Sequence, residues 1–268
     1  MYELIDAGDG RRLERFGERL VDRPAPPAIG MRLARAAVWD GADLRFEREG
    51  GWTGSADPWI VELDGLTFEL RPTEAGQVGL FPEHATLWPF LVEALAGLEA
   101  PAVLNAFAST GATTLALARS GASVTHVDAA RPSVAWARRN AALSGLEGAP
   151  VRWIVDDVLT FTRREARRGR RYDGFVLDPP SYGHGTGGRR WELADALPDL
   201  LDAVAAVAAD DAFLLLTAHT TGITADDLGE ALDDAFHGRG RVIAEPLELE
   251  AGSGAILPAG VAARMILR

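Results

Sequence analysis

The chain has 268 residues, a formal net charge of −12 and no cysteine. Disulfides, cysteine-ligated zinc and any thiol nucleophile are thereby excluded, and such acidity argues against a long nucleic-acid footprint, because each phosphate contact needs a cation. No uncharged apolar run reaches the roughly 18 residues of a membrane span, and Glu3 and Asp6 interrupt the N-terminus before a signal peptide could form; a cytoplasmic protein without membrane contact is expected.

The length allows one large domain, or one with a smaller appendage. Residues 1–80 are rich in glycine and proline, and short alternating segments predict strands at Ala37–Trp39, Leu44–Phe46 and Trp59–Leu63. Asp64-Gly65 suits a type I′ hairpin turn joining Trp59–Leu63 to Leu66–Leu70. Arg23-Pro24-Ala25-Pro26-Pro27 reads as an extended loop. This β-rich N-terminal extension is either a lid that selects substrate or a sheet that covers one side of the main domain, residues 81–268. A helix is predicted from about Thr86 to Ala96, with Pro89 in its first turn and Leu87, Phe90, Leu91 and Ala94 buried.

The strongest pattern follows. Val103 to Ala106 reads as a buried strand, Phe107 to Gly111 as a tight loop of mostly small residues, and Ala112 to Ala118 as a helix with Gly121 just beyond it. Such a loop, at the carboxyl end of a parallel strand, lets backbone approach a ligand closely. A second strand, Ser123–Asp128, ends in an acid placed where a carboxylate can accept both hydroxyls of a ribose. The next helix opens near Pro132, closes at Gly145 and turns Val134, Ala137 and Ala141 inward. A third strand, Val151–Val155, ends in Asp156-Asp157-Val158; a fourth, Tyr172–Leu177, ends in Asp178-Pro179-Pro180-Ser181-Tyr182-Gly183. Four consecutive strands thus deliver functional groups at their carboxyl ends, which a purely structural scaffold does not require.

Between the third and fourth strands lies the basic run Arg163, Arg164, Arg167, Arg168, Arg170 and Arg171. It reads as a solvated helical face with Glu165 interspersed, over the outer strand and away from a substrate, in preference to an RNA-binding patch. Arg189 and Arg190, on a glycine-rich loop beside the Asp-Pro-Pro run, are the better anion-binding candidates. A helix around Pro198 to Ala208, a strand at Phe213–Thr217, a helix from Thr224 to Phe236 with Thr224 as N-cap, and strands at Arg241–Leu249 and Val261–Leu267 complete the chain.

In this order and spacing, the small-residue loop, the acid after the second strand, the aspartate after the third and Asp-Pro-Pro after the fourth resemble a class I S-adenosylmethionine (SAM) dependent methyltransferase. The resemblance is nearest to the bacterial large-subunit rRNA cytosine and guanine methyltransferases and covers roughly residues 60–220. It implies an α/β fold: a Rossmann-like, mostly parallel sheet with a final antiparallel strand. It implies that Asn105, Phe107, Ser109, Thr110 and Gly111 surround the methionine part of SAM, that Asp128 and Ala129 lie at the ribose, and that Asp157 and Val158 meet the adenine. The alternative for Asp156 and Asp157 is helix N-capping before Leu159, favoured more at Asp156 than at Asp157. Gly79-Leu80-Phe81-Pro82-Glu83-His84 is similar to the family's glycine-aromatic segment, which makes Phe81 and then Glu83 candidates beside the cofactor, although the family's Asp-Gln-Arg stands here as Glu83-His84-Ala85.

Asp178, Pro179, Pro180 and Tyr182 are the implied catalytic set, with Arg189 and Arg190 on the substrate side. Methyl transfer from a sulfonium is an in-line displacement, so the enzyme mainly aligns the partners and excludes water. Two prolines stiffen the backbone so that Asp178 and nearby carbonyls can accept from an amino N–H. Tyr182 is a candidate stacking partner or a wall residue, one position later than the aromatic of amino methyltransferases. A nicotinamide cofactor would require G-x-G-x-x-G, where this loop has Ala106, Ala108 and Gly111. Methylation of pyrimidine C5 ordinarily needs a thiolate, so a nitrogen of an rRNA base is the favoured acceptor; a small-molecule or protein acceptor, or a SAM-binding module without catalysis, are the alternatives.

Overall fold

The computed structural model describes residues 1–184 and 190–268. The chain forms two compact units, 1–86 with 247–259, and 87–246 with 260–268. The sequence had suggested a division at residues 80 and 81. Among the described residues no helix is long and apolar enough to cross a membrane.

The first unit begins with β1 (Tyr2–Gly8), β2 (Arg11–Phe16) and β3 (Arg19–Pro24), then α1 (Ala36–Asp40), β4 (Leu44–Glu47), β5 (Gly51–Gly54), β6 (Trp59–Leu63) and β7 (Leu66–Leu70). β1 to β5 form one sheet in sequence order, with β3 and β4 parallel, and β6–β7 is a separate hairpin. The Asp64-Gly65 turn has φ of +50° and +70°, as a type I′ hairpin requires. Asp9-Gly10, between β1 and β2, repeats this geometry at +53° and +73°.

Two expectations need correction here. Ala37–Trp39 is helical, because one turn of helix buries Trp39 against Leu13 and Leu20 and lets its indole N–H donate to buried Asp6 at 2.9 Å. Arg23, assigned to an extended loop, lies within β3 and is buried: its guanidinium meets the Glu14 carboxylate at 2.6 and 3.1 Å, and Glu14 also accepts from Tyr2 at 3.1 Å.

A 3-10 turn (Pro82–Leu87) precedes α2 (Trp88–Leu95), which starts two residues later than expected, with Pro89 in its first turn. α2 buries Trp88, Leu91 and Leu95, whereas Phe90 and Ala94 are half-buried. The second unit continues with β8 (Ala102–Ala106), α3 (Ala112–Arg119), β9 (Ser123–Asp128), α4 (Arg131–Leu143), β10 (Val151–Val155), α5 (Val158–Arg167) and β11 (Tyr172–Leu177). Then come β12 (Tyr182–His184), β13 (Arg190–Glu192), α6 (Leu193–Ala205), β14 (Ala208–Ala218), α7 (Ala225–Ala235), β15 (Gly240–Glu250) and β16 (Ile256–Leu267).

The main sheet has the order β10-β9-β8-β11-β14-β16-β15. The strands from β10 to β14 are parallel, and β16 pairs antiparallel with β14. The expected Rossmann-like sheet is therefore present. The order reverses between β8 and β11, and in open α/β sheets ligands bind outside the strand carboxyl ends at such a switch point.

Helix α6 begins five residues before the expected Pro198, which lies inside it. Leu193, Leu197, Leu200, Leu201 and Val204 share one helical face and are buried in the main core, and that burial outweighs one missing N–H bond. Thr224 caps α7 as expected, in a reciprocal capping box with Asp227. Glu165 does not lie on a solvated face: it is 1% exposed, and it accepts from Tyr172 at 2.9 Å, Arg168 at 3.1 Å and Arg152 at 3.3 Å. Arg163 pairs with Asp199 and Arg164 with Asp156, so internal partners take up much of the basic run.

Candidate functional site

Four strand ends meet at the switch point. Beyond β8 the chain turns through Phe107, Ser109 and Gly111, all with positive φ, at +57°, +48° and +87°. Two non-glycine residues in the left-handed region are strained, and the surroundings hold them there. Ser109 N–H donates to Asp128 Oδ2 at 2.8 Å, and Ala130 N–H donates to Oδ1 at 2.8 Å. Thr110 is buried, and its carbonyl accepts from the Asn140 amide at 2.9 Å. At Gly111 a Cβ would come within 2.8 Å of the Ala137 methyl, so the loop packs too closely on α4 for any larger residue.

Asp128 thus links the loop to the end of β9. Burial pushes its carboxyl upward, and the two backbone N–H bonds only partly offset that. Each oxygen has taken one donor, and a carboxylate has about four acceptor positions, so capacity remains for a pair of vicinal hydroxyls. Strained backbone, a glycine cradle and a half-buried acid together fit a nucleoside-bearing cofactor. Asp128→Ala should weaken the binding of S-adenosylhomocysteine at least about tenfold by calorimetry, through loss of charge-assisted bonds. Unchanged affinity would remove Asp128 from the site.

Asn105 is 3% exposed, and its amide donates to Thr114 Oγ1 at 2.8 Å. Its side chain therefore belongs to the scaffold beneath the loop. Thr114 Oγ1 lies 2.9 Å from His126 Nδ1. Having accepted from Asn105, that hydroxyl is placed to donate to Nδ1, which assigns the ring hydrogen to Nε2. Nε2 has no hydrogen-bond partner among the described residues, and the ring packs on Trp153 with centroids 4.9 Å apart. Burial pushes His126 down to about 3.

A histidine held neutral by the fold makes acid destabilising. Above its ordinary value of 6.5 the contribution is fully present, and it is lost as pH falls toward about 3, at about 1.4 kcal/mol per pH unit. Urea denaturation between pH 7 and 5 should show this slope, and His126→Leu should flatten it by close to one proton. Equal slopes in the two proteins would assign the acid sensitivity to other groups.

At β10, Asp157 Oδ1 caps α5 by accepting from Thr160 N–H at 2.8 Å. Asp156 is bonded through Oδ1 to Asp157 N–H at 2.9 Å and through Oδ2 to Arg164 at 2.6 Å. Val158 is 3% exposed within the main core, and Ala129 is exposed. Phe81 and Glu83 belong to the first unit, with the Phe81 ring 6.1 Å from that of His84.

At β11, Asp178 N–H reaches the Ala106 carbonyl at 3.4 Å, which joins the Asp-Pro-Pro run to the end of β8. Asp178 Oδ1 accepts from Thr217 Oγ1 at 2.6 Å and lies 3.1 Å from His219 Nε2. Thr220 Oγ1 donates to Ser181 Oγ at 2.7 Å. The end of β14 therefore supports Asp-Pro-Pro-Ser. Thr217, His219 and Thr220 are not among the residues the sequence motifs single out, although polar residues at the end of the apolar fifth strand are a usable signal. Pro179 is buried, Pro180 is exposed and Tyr182 is 63% exposed. Arg189 lies outside the described residues; Arg190 is in β13, and its side chain is not among those described.

No family model matches the chain. It is 28% identical over 181 residues to the ribosomal RNA large subunit methyltransferase K of Neisseria meningitidis, covering 66% of this chain and 50% of that one. It is 33% identical over 139 residues to the K/L protein of Syntrophotalea carbinolica, covering 48% of this chain and 19% of that one. The chain thus spans about half the length of the first relative and about a fifth of the second. Among solved structures, the SAM-dependent methyltransferase of Agrobacterium tumefaciens superposes with a TM-score of 0.94 at 35% identity, over 100% of this chain and 90% of that one. A methyltransferase structure from Streptococcus mutans superposes at 0.79 with 15% identity, over 99% and 75%, which is a likeness of fold alone.

Proposed function

We propose, from the premise that this chain belongs to the SAM-dependent methyltransferase family, that it methylates a nitrogen on a base of ribosomal RNA. The cofactor, when bound, supplies a methyl group on a positively charged sulfur. The loop 105–111 and Asp128 hold the cofactor's amino-acid and ribose parts, and Asp157 and Val158 lie at its adenine. Asp178 accepts from the acceptor N–H, and the two prolines hold the adjoining backbone in place. The observation that carries this reading is the junction of Asp-Pro-Pro with the loop end of β8, through Asp178 N–H and the Ala106 carbonyl at 3.4 Å.

RNA as the substrate is supported by the relatives named for large-subunit rRNA methylation. Nitrogen is favoured over pyrimidine C5 because the chain has no cysteine to supply a thiolate. A net charge of −12 favours a short RNA contact over a long one. The reading places the protein in the cytoplasm, where ribosomal RNA is assembled.

The test is mass spectrometry of rRNA nucleosides from a deletion strain and its parent. One N-methylated base should disappear on deletion and return with the gene. An identical nucleoside profile in the two strains would move the acceptor to a small molecule or a protein.

A further inference from the structure

The aromatic residue of the Asp-Pro-Pro motif is displaced here: Ser181 follows the two prolines, and Tyr182 comes after it. Tyr182 begins β12, which pairs antiparallel with β13 in the register Tyr182↔Glu192, Gly183↔Trp191 and His184↔Arg190. Cross-strand partners share a face and successive residues alternate. Trp191 and Gly183 therefore occupy one face of the hairpin, and Tyr182 and Glu192 the other.

The face of Trp191 is turned to the site. Its indole N–H donates to the Pro180 carbonyl at 2.7 Å, and its ring centroid lies 5.5 Å from that of Phe107 in the cofactor loop. One side chain thus touches both the acceptor motif and the loop around the cofactor. Its cross-strand neighbour is glycine, where a Cβ would lie 3.8 Å from the Trp191 Cβ and 3.9 Å from the Pro180 ring. That neighbour has no side chain to lay over the indole, and among the described residues Trp191 is half-buried.

We propose that Trp191, and not Tyr182, provides the aromatic wall on which a planar methyl acceptor stacks beside Asp178. This rests on the reading of the acceptor as a nucleic-acid base. The bond to Pro180 holds the indole in place, and the contact with Phe107 ties its position to that of the cofactor loop. Tyr182, on the opposite face, takes no part in stacking.

The test has one arm that needs no turnover. In protein labelled with 5-fluorotryptophan and saturated with S-adenosylhomocysteine, the resonance missing from Trp191→Phe identifies Trp191. Millimolar guanosine 5′-monophosphate should shift that resonance, and ribose 5-phosphate should not. A resonance indifferent to both, or moved equally by both, overturns the proposal.

The second arm uses rRNA from the deletion strain. Base–aromatic stacking amounts to about 1–3 kcal/mol, so Trp191→Leu should raise KM for RNA about tenfold or more, with a smaller change in kcat. Trp191→Phe should recover most of that loss, and Tyr182→Leu should stay within about twofold of the parent. The reverse ranking of Trp191→Leu and Tyr182→Leu overturns the proposal. So does an equal loss of S-adenosylhomocysteine affinity in both Trp191 variants, which would make Trp191 only a prop for Phe107. If the parent protein methylates no RNA, the RNA reading fails, and the fluorine arm still decides the role of Trp191.

Discussion

Replacing Asp178 by Ala should leave S-adenosylhomocysteine affinity within about threefold and lower methyl transfer about a hundredfold or more, the usual scale for losing one preorganised polar group at a reacting centre. The carboxylate is preorganised from two sides. Thr217 donates to its Oδ1 at 2.6 Å, and His219 Nε2 lies 3.1 Å from the same oxygen. Its own N–H is bonded to the end of β8 at 3.4 Å. These contacts hold the group without help from substrate, so little reorganisation is needed when an acceptor arrives. The separation of effects is the diagnostic: the loop 107–111 is held by Asp128, Asn140 and α4, none of which depends on Asp178. Isothermal calorimetry and single-turnover kinetics with labelled SAM measure the two quantities. Normal turnover would place the acceptor elsewhere, and an equal loss of cofactor affinity would make Asp178 a structural residue.

Replacing Glu14 by Ala should destabilise the N-terminal unit by about 3–5 kcal/mol, because it leaves a buried guanidinium without its counter-charge. Glu14 and Arg23 are 0% and 1% exposed. Arg23 binds both carboxylate oxygens, and it also donates to Gln77. Arg12 Nε lies 3.4 Å from the same carboxylate. Burial disfavours the charged form of Glu14, yet the guanidinium groups of Arg12 and Arg23 hold its carboxyl below the ordinary value. The double variant Glu14→Leu, Arg23→Met should lose much less than Glu14→Ala alone, since it removes both charges and refills the space. Urea denaturation of the three proteins measures this. A double variant as unstable as the single one would show that the pair contributes more than mutual neutralisation.

The parts of this protein that depend on short-range chemistry are legible in its residues. The type I′ turn at Asp64-Gly65, the N-cap at Thr224, the entry of α4 at Pro132 and the succession of strands ending in Asp128, Asp157 and Asp178 all follow from residues within a few positions of one another. Strand period and turn residues are local signals, and the Rossmann-like half was legible from them. Features that depend on distant partners emerge only when the chain is folded. Glu14, Arg23 and Glu165 have the composition of surface residues and become buried because a counter-charge arrives from another strand or helix. Ala37–Trp39 has the pattern of a strand and becomes helix because Trp39 finds Asp6 and a small apolar cluster. Residues 247–259, the end of β15, the turn and the start of β16, belong to the N-terminal unit, where Ser253 donates to Asp6 at 2.6 Å. At the site, hairpin register and not proximity to the motif sets Trp191 beside Pro180. The pairing of Gly183 with Trp191 decides which side chain meets Pro180 and Phe107, and no local propensity encodes it.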